Sequence, residues 1–459
     1  MKFVIGIDVA CRASHVAAGA SETGEIVWSG VRLRTTVEDL ESLWRRLPED
    51  AGEVTVVMEP TRNAWVPLAS WFRRRGATVV MVPPEQSSDL RAYFSKHAKN
   101  DRLDAQLLAR LPSMHQEGLH EATGDGPADP LRRATRQRAS LVLRRATCMN
   151  RLDALLEIMG PGWVDALGSA MTSTTFEFLA KWAHPLRVQR VSRARLARWF
   201  CHEMRRAHGA DVADQVLAAA KATLELWGTD GLDFDELASD IAVEAEVALE
   251  LGRQIKELDR RIDDLYVELD PARIVMSVPG VGAILAAQIL GRLGDVQRFS
   301  SLAAVRSFSG LVPKQNSSGL VERSGGPTKR GDAALRGAIF QAANTARTVD
   351  PTLAQRYQRL MMEAGRHHNS ALCSVAATLL TRIATCVRSQ TPYVIRDVDG
   401  REITASEGRA IVRARYRISP EVRASRRAVS NQAARRRRDE RSERGVAERS
   451  EDALVPVAS

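Results

Sequence analysis

Four carboxylates in the first quarter of the chain, Asp8, Glu59, Asp101 and Asp104, are the residues best suited to do chemistry. Asp8 ends the apolar run Phe3-Val4-Ile5-Gly6-Ile7, and Glu59 ends a second run, Val54-Thr55-Val56-Val57-Met58. Asp101 and Asp104 lie three apart in Lys99-Asn100-Asp101-Arg102-Leu103-Asp104, which puts both on one face of a helix starting there. A charge directly after a buried strand is costly unless something pairs it. Gathered together these groups repel, and divalent cations would relieve the repulsion. Two Mg²⁺ ions roughly 3.5–4 Å apart could activate an attacking oxygen and stabilise a leaving one, which is phosphodiester chemistry. The plainer alternative makes Asp101 a helix N-terminal charge and Asp8 a loop residue.

Two further segments carry chemistry of their own. Val278-Pro279-Gly280-Val281-Gly282 precedes an alanine-rich helix from Ala283 to Leu293. Amides of such a turn, with the helix N-terminus, can hold a phosphate, so Gly280 and Gly282 suggest a helix-hairpin-helix; the alternative is a purely structural turn. Downstream, the loop from Phe308 to Gly319 contains Lys314 and Ser318, and Thr328-Lys329-Arg330-Gly331-Asp332 follows. A serine flanked by Lys314, Arg323, Lys329 and Arg330 could attack a phosphate held by those cations, although its hydroxyl needs a base or metal to activate it.

The elements that must position these groups read as follows. Lys2 to Asp8, His15 to Ala20 and Ile26 to Leu33 are three strands joined by short turns, an antiparallel meander. Thr36 caps a helix running to Leu47. Glu53 to Glu59 is a fourth strand, Asn63 to Arg75 a helix, and Ala77 to Val82 a fifth strand. Helices Pro84 to Tyr93 and Asp101 to Leu111 complete a domain over 1–112. The order β-β-β-α-β-α-β-α is that of an α/β ribonuclease H-like fold, with the carboxylates at its strand ends.

The rest is mostly helical. A linker over 113–270 contains the arginine-rich helix Leu131 to Met159, with Arg132, Arg133, Arg136, Arg138, Arg144, Arg145 and Arg151, which suits a phosphate backbone. Ile241, Ala248, Ile255, Ile262 and Leu269 recur every seven residues. Leu237, Leu251, Leu258 and Leu265 occupy the second seam, broken only by Glu244. That pattern predicts a coiled coil; a long helix packed inside one subunit satisfies it too. A second compact domain spans 271–390. The segment 391–459, with Arg435 to Arg438, reads as a basic, partly disordered tail.

Lys and Arg number 66 against 56 acids, giving a net charge of +10, which suits a polyanionic partner. Five scattered cysteines without a Cys-x-x-Cys pair read as reduced, intracellular thiols. Asp8 and Arg12 interrupt the first apolar stretch, so no signal peptide is expected, and no apolar run has the length of a membrane span. The expected location is the cytoplasm. No nucleotide-binding loop is visible, so no nucleotide or organic cofactor is expected.

Taken in order, these blocks resemble the DEDD transposases of family one-hundred-ten of bacterial insertion sequences. The resemblance rests on Gly6-Ile7-Asp8, Met58-Glu59-Pro60-Thr61, Lys99-Asn100-Asp101-Arg102-Leu103-Asp104-Ala105, Pro279 to Gly282, Gly310 to Pro313, Ser318-Gly319 and Lys329-Arg330-Gly331. It implies a RuvC-like domain in which Asp8, Glu59, Asp101 and Asp104 bind Mg²⁺. It also implies a covalent phosphoserine at Ser318, or at Ser317 if the block is displaced by one. Members of the family are homodimers that pair into tetramers, with the RuvC-like site of one subunit completed by the serine of another. A structured bridge RNA guides them to donor and target DNA at the bacterial nucleoid. The competing readings are a hydrolytic RuvC-like nuclease with water as nucleophile, and a non-catalytic nucleic-acid-binding derivative.

Overall fold

A computed structural model describes residues 1–83, 87, 100–114, 119–121, 126–160, 162–168, 171–204, 209–228, 230–318 and 321–432. The side chains of 120, 203–204, 314–318 and 321–326 lie outside that description. The chain forms two compact units, Met1–Asp129 and Pro130–Ser459.

In the first unit, β1 (Lys2–Asp8), β2 (His15–Ser21) and β3 (Ile26–Leu33) form the expected meander. They are followed by α1 (Val37–Trp44), β4 (Glu53–Met58), α2 (Trp65–Arg74), β5 (Thr78–Met81), α3 (Asp101–Met114) and the two-residue β6 (His120–Glu121). The sheet order is β3-β2-β1-β4-β5-β6, with β4 and β5 parallel to β1 and the others antiparallel to their neighbours. Thr36 Oγ1 accepts from the Asp39 amide and caps α1, as its sequence predicts. Pro67 falls in the first turn of α2, where the missing N–H costs nothing. The helix expected over Pro84 to Tyr93 lies, apart from Ser87, outside the described residues.

Strand alternation divides the core between the two faces of the sheet. Phe3, Ile5, Ile7, Val56 and Met58 pack under α1 and α2, against Leu40, Leu43, Leu68 and Phe72. Val4, Val57 and Val80 face Leu108 and Leu111 of α3, while Ala18 and Ala20 face Ala105 and Ala109.

The second unit begins one residue into α4 (Asp129–Met159) and runs through α5 (Trp163–Leu167), α6 (Ser173–Trp182), α7 (Pro185–Arg190), α8 (Arg193–Met204) and α9 (Gly209–Trp227) to α10 (Phe234–Leu269). The heptad seam is real but is covered inside the chain. Leu237, Ile241, Ala248, Leu251, Ile255, Leu258 and Ile262 are buried in a core shared with Leu141, Cys148, Leu152 and Leu156 of α4. The two helices run antiparallel, with Arg138 paired to Asp259 and Arg151 Nη1 2.8 Å from Glu244 Oε1. Glu244, which interrupts the seam in sequence, is the residue that receives Arg151. The spacing thus marked the buried face correctly, and the cover comes from helices of the same chain, α6 as well as α4.

A 3-10 turn (Val275–Ser277), α11 (Ala283–Leu293), a second 3-10 turn (Val296–Arg298) and α12 (Leu302–Ser309) lead to a hairpin, β7 (Pro313–Ser318) and β8 (Val321–Pro327). The hairpin replaces the loop read from sequence. Helices α13 (Ala333–Ala346), α14 (Pro351–Met362), α15 (His368–Ser389) and α16 (Ala405–Arg415) follow, then a helix over 420–432. Helix α15 is long and apolar enough by composition to cross a membrane, but Leu372, Val375, Leu379, Leu380 and Ile383 are fully buried in the protein core.

Within the segment expected to be a basic, partly disordered tail, residues 391–432 are folded. Tyr393 and Ile418 are buried in the main core, Arg396 bridges to Glu402, and a capping box of Thr404 and Glu407 starts α16. A few well-placed apolar and capping residues suffice to fold a basic segment. Arg435 to Arg438 lie outside the described residues.

Candidate active site

Parallel pairing of β1 with β4 sets Ile7 opposite Met58, so Asp8 and Glu59 follow at matched positions on adjacent strands, about 4.8 Å apart in backbone spacing. Both continue the alternation of Val4, Gly6 and Val57, which faces α3. Both are half-buried at the strand ends.

Helix α3 brings the other pair. A Cβ added at Gly6 would meet Ala105 O at 2.2 Å and Ala109 N at 2.3 Å, so the helix backbone rests directly on β1. Residues Leu108 and Leu111 lie over Val4, and Ala105 and Ala109 over Gly6. The helix therefore runs opposite to β1, and its first turn, with Asp101 and Asp104, heads toward the Asp8 end. Asn100 starts it: Asn100 Oδ1 accepts from Arg102 N at 3.0 Å, and Asn100 O accepts from Asp104 N at 3.1 Å. Arg102 Nε donates to Ser29 Oγ at 2.9 Å, tying that turn to β3.

Glu59 is held by a residue that sequence reasoning missed. Ser87 Oγ donates to Glu59 Oε2 at 2.7 Å. Nothing in the local pattern announces Ser87; Asn100, by contrast, stands where a helix cap is expected. Behind the site, buried His15 fixes the turn after β1. Its Nδ1 accepts from Ala10 N at 3.1 Å, so the neutral ring carries its hydrogen on Nε2, 2.8 Å from Thr35 Oγ1. Burial lowers the His15 pKa.

The donor set consists of hard carboxylate oxygens, which suits Mg²⁺. Among the described residues, no three His, Cys, Asp or Glu side chains converge as a ready-made metal cage. Mg²⁺ does not require one, because it keeps several waters and binds through one or two carboxylates plus substrate phosphates. The residues fit the ion in type and in their common end of the sheet.

In the second unit, Ser318 ends β7 at the tip of the hairpin, opposite Val321, and Ser317 stands opposite Glu322. The Gly310 and Lys329 blocks clasp the hairpin root: Thr328 N donates to Val312 O at 2.8 Å, Lys329 N to Gly310 O at 3.2 Å, and Asp332 N to Phe308 O at 2.8 Å. Arg336 Nη1 donates to Ser309 O at 2.9 Å, and Arg292 pairs with Asp332 at 3.2 Å. Lys329 and Arg330 are exposed beside the root. Lys314 lies in β7, its side chain outside the described set.

Other predicted nucleic-acid contacts divide. Arg133, Arg136 and Arg144 are exposed on α4 and form no ion pair among the described residues. Arg138 and Arg151 are committed to α10, Arg145 lies over the Phe176 ring at 5.3 Å, and Arg132 is half-buried. The expected helix-hairpin-helix has only a 3-10 turn as its first limb. Gly280, at φ +80°, packs so closely that a Cβ would meet Thr345 Cβ at 2.4 Å, and Gly282 precedes α11 without a side-chain cap.

Comparison with known proteins finds matches over the segments that contain both sets of residues. A DEDD transposase family model of IS110 type matches residues 5–161, which include all four carboxylates. A second model, for the transposase IS116/IS110/IS902 family, matches residues 272–358, which include the glycine turn, the hairpin and Ser318. The 44.8 kDa protein of insertion element IS116 from Streptomyces clavuligerus is 26% identical over 81% of this chain and 91% of its own length. The 43.6 kDa protein of IS110 from Streptomyces coelicolor is 25% identical over 87% and 98%. A transposase for insertion sequence element IS1328 from Yersinia enterocolitica is 29% identical over 30% and 42%.

Proposed function

This chain belongs to the IS110/IS116 family of DEDD insertion-sequence transposases, a family of DNA-transposing enzymes, and on that premise we propose that it cuts and rejoins donor and target DNA through its carboxylates and Ser318. What supports the carboxylate role most is the strand register that sets Asp8 beside Glu59, with the first turn of α3 directed toward them.

Asp8, Glu59, Asp101 and Asp104 would hold Mg²⁺, two ions in the fullest form. When bound, the metal polarises the scissile phosphate and lowers the pKa of an attacking hydroxyl. Ser318 Oγ then attacks phosphorus. The serine–phosphorus bond forms, the phosphorus–deoxyribose oxygen bond breaks, and the freed deoxyribose hydroxyl takes up a proton while Ser318 gives one up. Rejoining is the reverse with another strand's hydroxyl, after which Ser318 recovers its proton. The covalent link keeps the phosphodiester's free energy, so exchange needs no nucleotide hydrolysis. Lys329 and Arg330, exposed at the hairpin root, supply positive charge for the phosphate.

Target choice falls to a bridge RNA, with Arg133, Arg136 and Arg144 the arginines of α4 that are open to its backbone. The assembly is a homodimer pairing to a homotetramer, working in the bacterial cytoplasm at the nucleoid. The test is a Mg²⁺-dependent protein–DNA adduct. Ser318→Ala should abolish the adduct while leaving DNA and RNA binding within about twofold, and Asp104→Asn should abolish strand cleavage. Wild-type adduct from Ser318→Ala would remove serine from the mechanism.

A further inference from the structure

Helices α14 and α15 line an open cleft of about 470 Å³, with Tyr416 at the end of α16 on its wall. Its walls carry three guanidinium groups, Arg356, Arg359 and Arg382. Arg356 and Arg359 lie three apart on α14, so they share a face. Arg382 is fixed from behind: Asp350 Oδ2 lies 3.2 Å from its Nη1, which also donates to Tyr393 Oη at 2.9 Å, while its Nη2 donates to Thr352 Oγ1 at 2.9 Å. Among the described residues, Arg356 Nε is buried without a hydrogen-bond partner and Arg359 has no ion pair. Glu363, at the edge of the cavity, pairs with none of the three.

Asp350 balances Arg382, but Arg356 and Arg359 have no ion pair among the described residues, and neighbouring guanidinium groups left so repel one another, while an unmet N–H in a half-buried group is costly. Burial, then neighbouring Arg359, Arg366 and Arg382, lower the Arg356 pKa. Arg356 still remains charged, since a guanidinium is not deprotonated in proteins. An anion relieves both penalties. Planar forks fit phosphate oxygens, the volume suits a nucleotide better than a bare phosphate, and Tyr416 adds an aromatic surface of the kind that stacks unpaired bases.

We propose that this cavity holds one unpaired nucleotide of a nucleic-acid strand, its phosphate on Arg356 and Arg359 and its base toward Tyr416. Tyr416, which lines the cleft, lies beyond both matched family regions, so the site gives the C-terminal basic segment a specific task. The proposal rests on the nucleic-acid reading above.

The test is photo-crosslinking of the full chain to a hexamer of 4-thiothymidine, with adducts located by peptide mass spectrometry. Adducts should fall on the peptide containing Tyr416 and drop at least tenfold in Arg356→Gln/Arg359→Gln. Arg359→Gln alone, at an exposed position that leaves the fold intact, should reduce them several-fold, and Lys221→Gln should not. Adducts elsewhere but not at Tyr416, or adducts there unaffected by both arginine variants, would overturn the pocket while leaving nucleic-acid binding in place. No adduct anywhere would overturn both. Displacement of the hexamer by equimolar orthophosphate would reassign the cavity to a free anion.

Discussion

Ser87 holds one oxygen of Glu59 at 2.7 Å, and a hydrogen bond to a charged group contributes about 1.5–3 kcal/mol. Its role is to keep the carboxylate aimed, so Ser87→Ala should raise the Mg²⁺ concentration for half-maximal cleavage roughly tenfold, in line with losses seen when groups supporting a metal ligand are removed. Saturating Mg²⁺ should restore the rate; an unchanged Mg²⁺ titration would show that Glu59 needs no such support. At this scale the sequence was partly readable. Asp8 and Glu59 announced themselves because a charge closing an apolar run is unusual. Ser87 did not, since its partner lies 28 residues away and no periodicity links them. Among the arginines of α4, composition counted charges but could not separate Arg138 and Arg151, bonded to α10, from Arg133, Arg136 and Arg144, which face solvent.

At the scale of elements, the seating of α3 on β1 governs the site. Gly6→Ala places a methyl into helix backbone atoms that cannot rotate away, and overpacking of this sort costs roughly 1–3 kcal/mol or more. The first unit should melt earlier and cleavage should fall with it, whereas Gly52→Ala, which has nothing within 4 Å, should be silent. Thermal denaturation with a parallel cleavage assay checks both. The turn after β1 adds a pH dependence. Burial lowers the folded His15 pKa, so the unfolded chain takes up its proton first as pH falls. The His15 contribution is complete above about pH 6.5 and declines below it, by at most about 1.4 kcal/mol per pH unit. His15→Gln should flatten the fall in melting temperature between pH 6.5 and 5; an unchanged slope would remove His15 as its source. Periodicity made the buried faces legible, α10 above all. It could not say that α4, α6 and α11 of the same chain supply the cover, because a seven-residue repeat is silent about the partner. The β7–β8 hairpin escaped notice since its polar residues lack the alternation that marks a half-buried strand.

At the scale of the whole molecule, the chain is two compact units, one bearing the carboxylates and the other the serine hairpin. The net charge of +10 suits a nucleic-acid partner but says nothing about how the two sites meet. In the proposed reaction both act on one phosphate, with the serine of one subunit serving the carboxylates of another. The most direct measurement is adduct formation by a mixture of Asp8→Ala and Ser318→Ala proteins on a nicked DNA substrate with Mg²⁺. Each variant alone should form no adduct, and the mixture should restore it on the Asp8→Ala chain. A mixture that stays inactive while the wild type reacts would contradict sharing between subunits, and an adduct formed by either variant alone at the wild-type level would contradict the joint site itself.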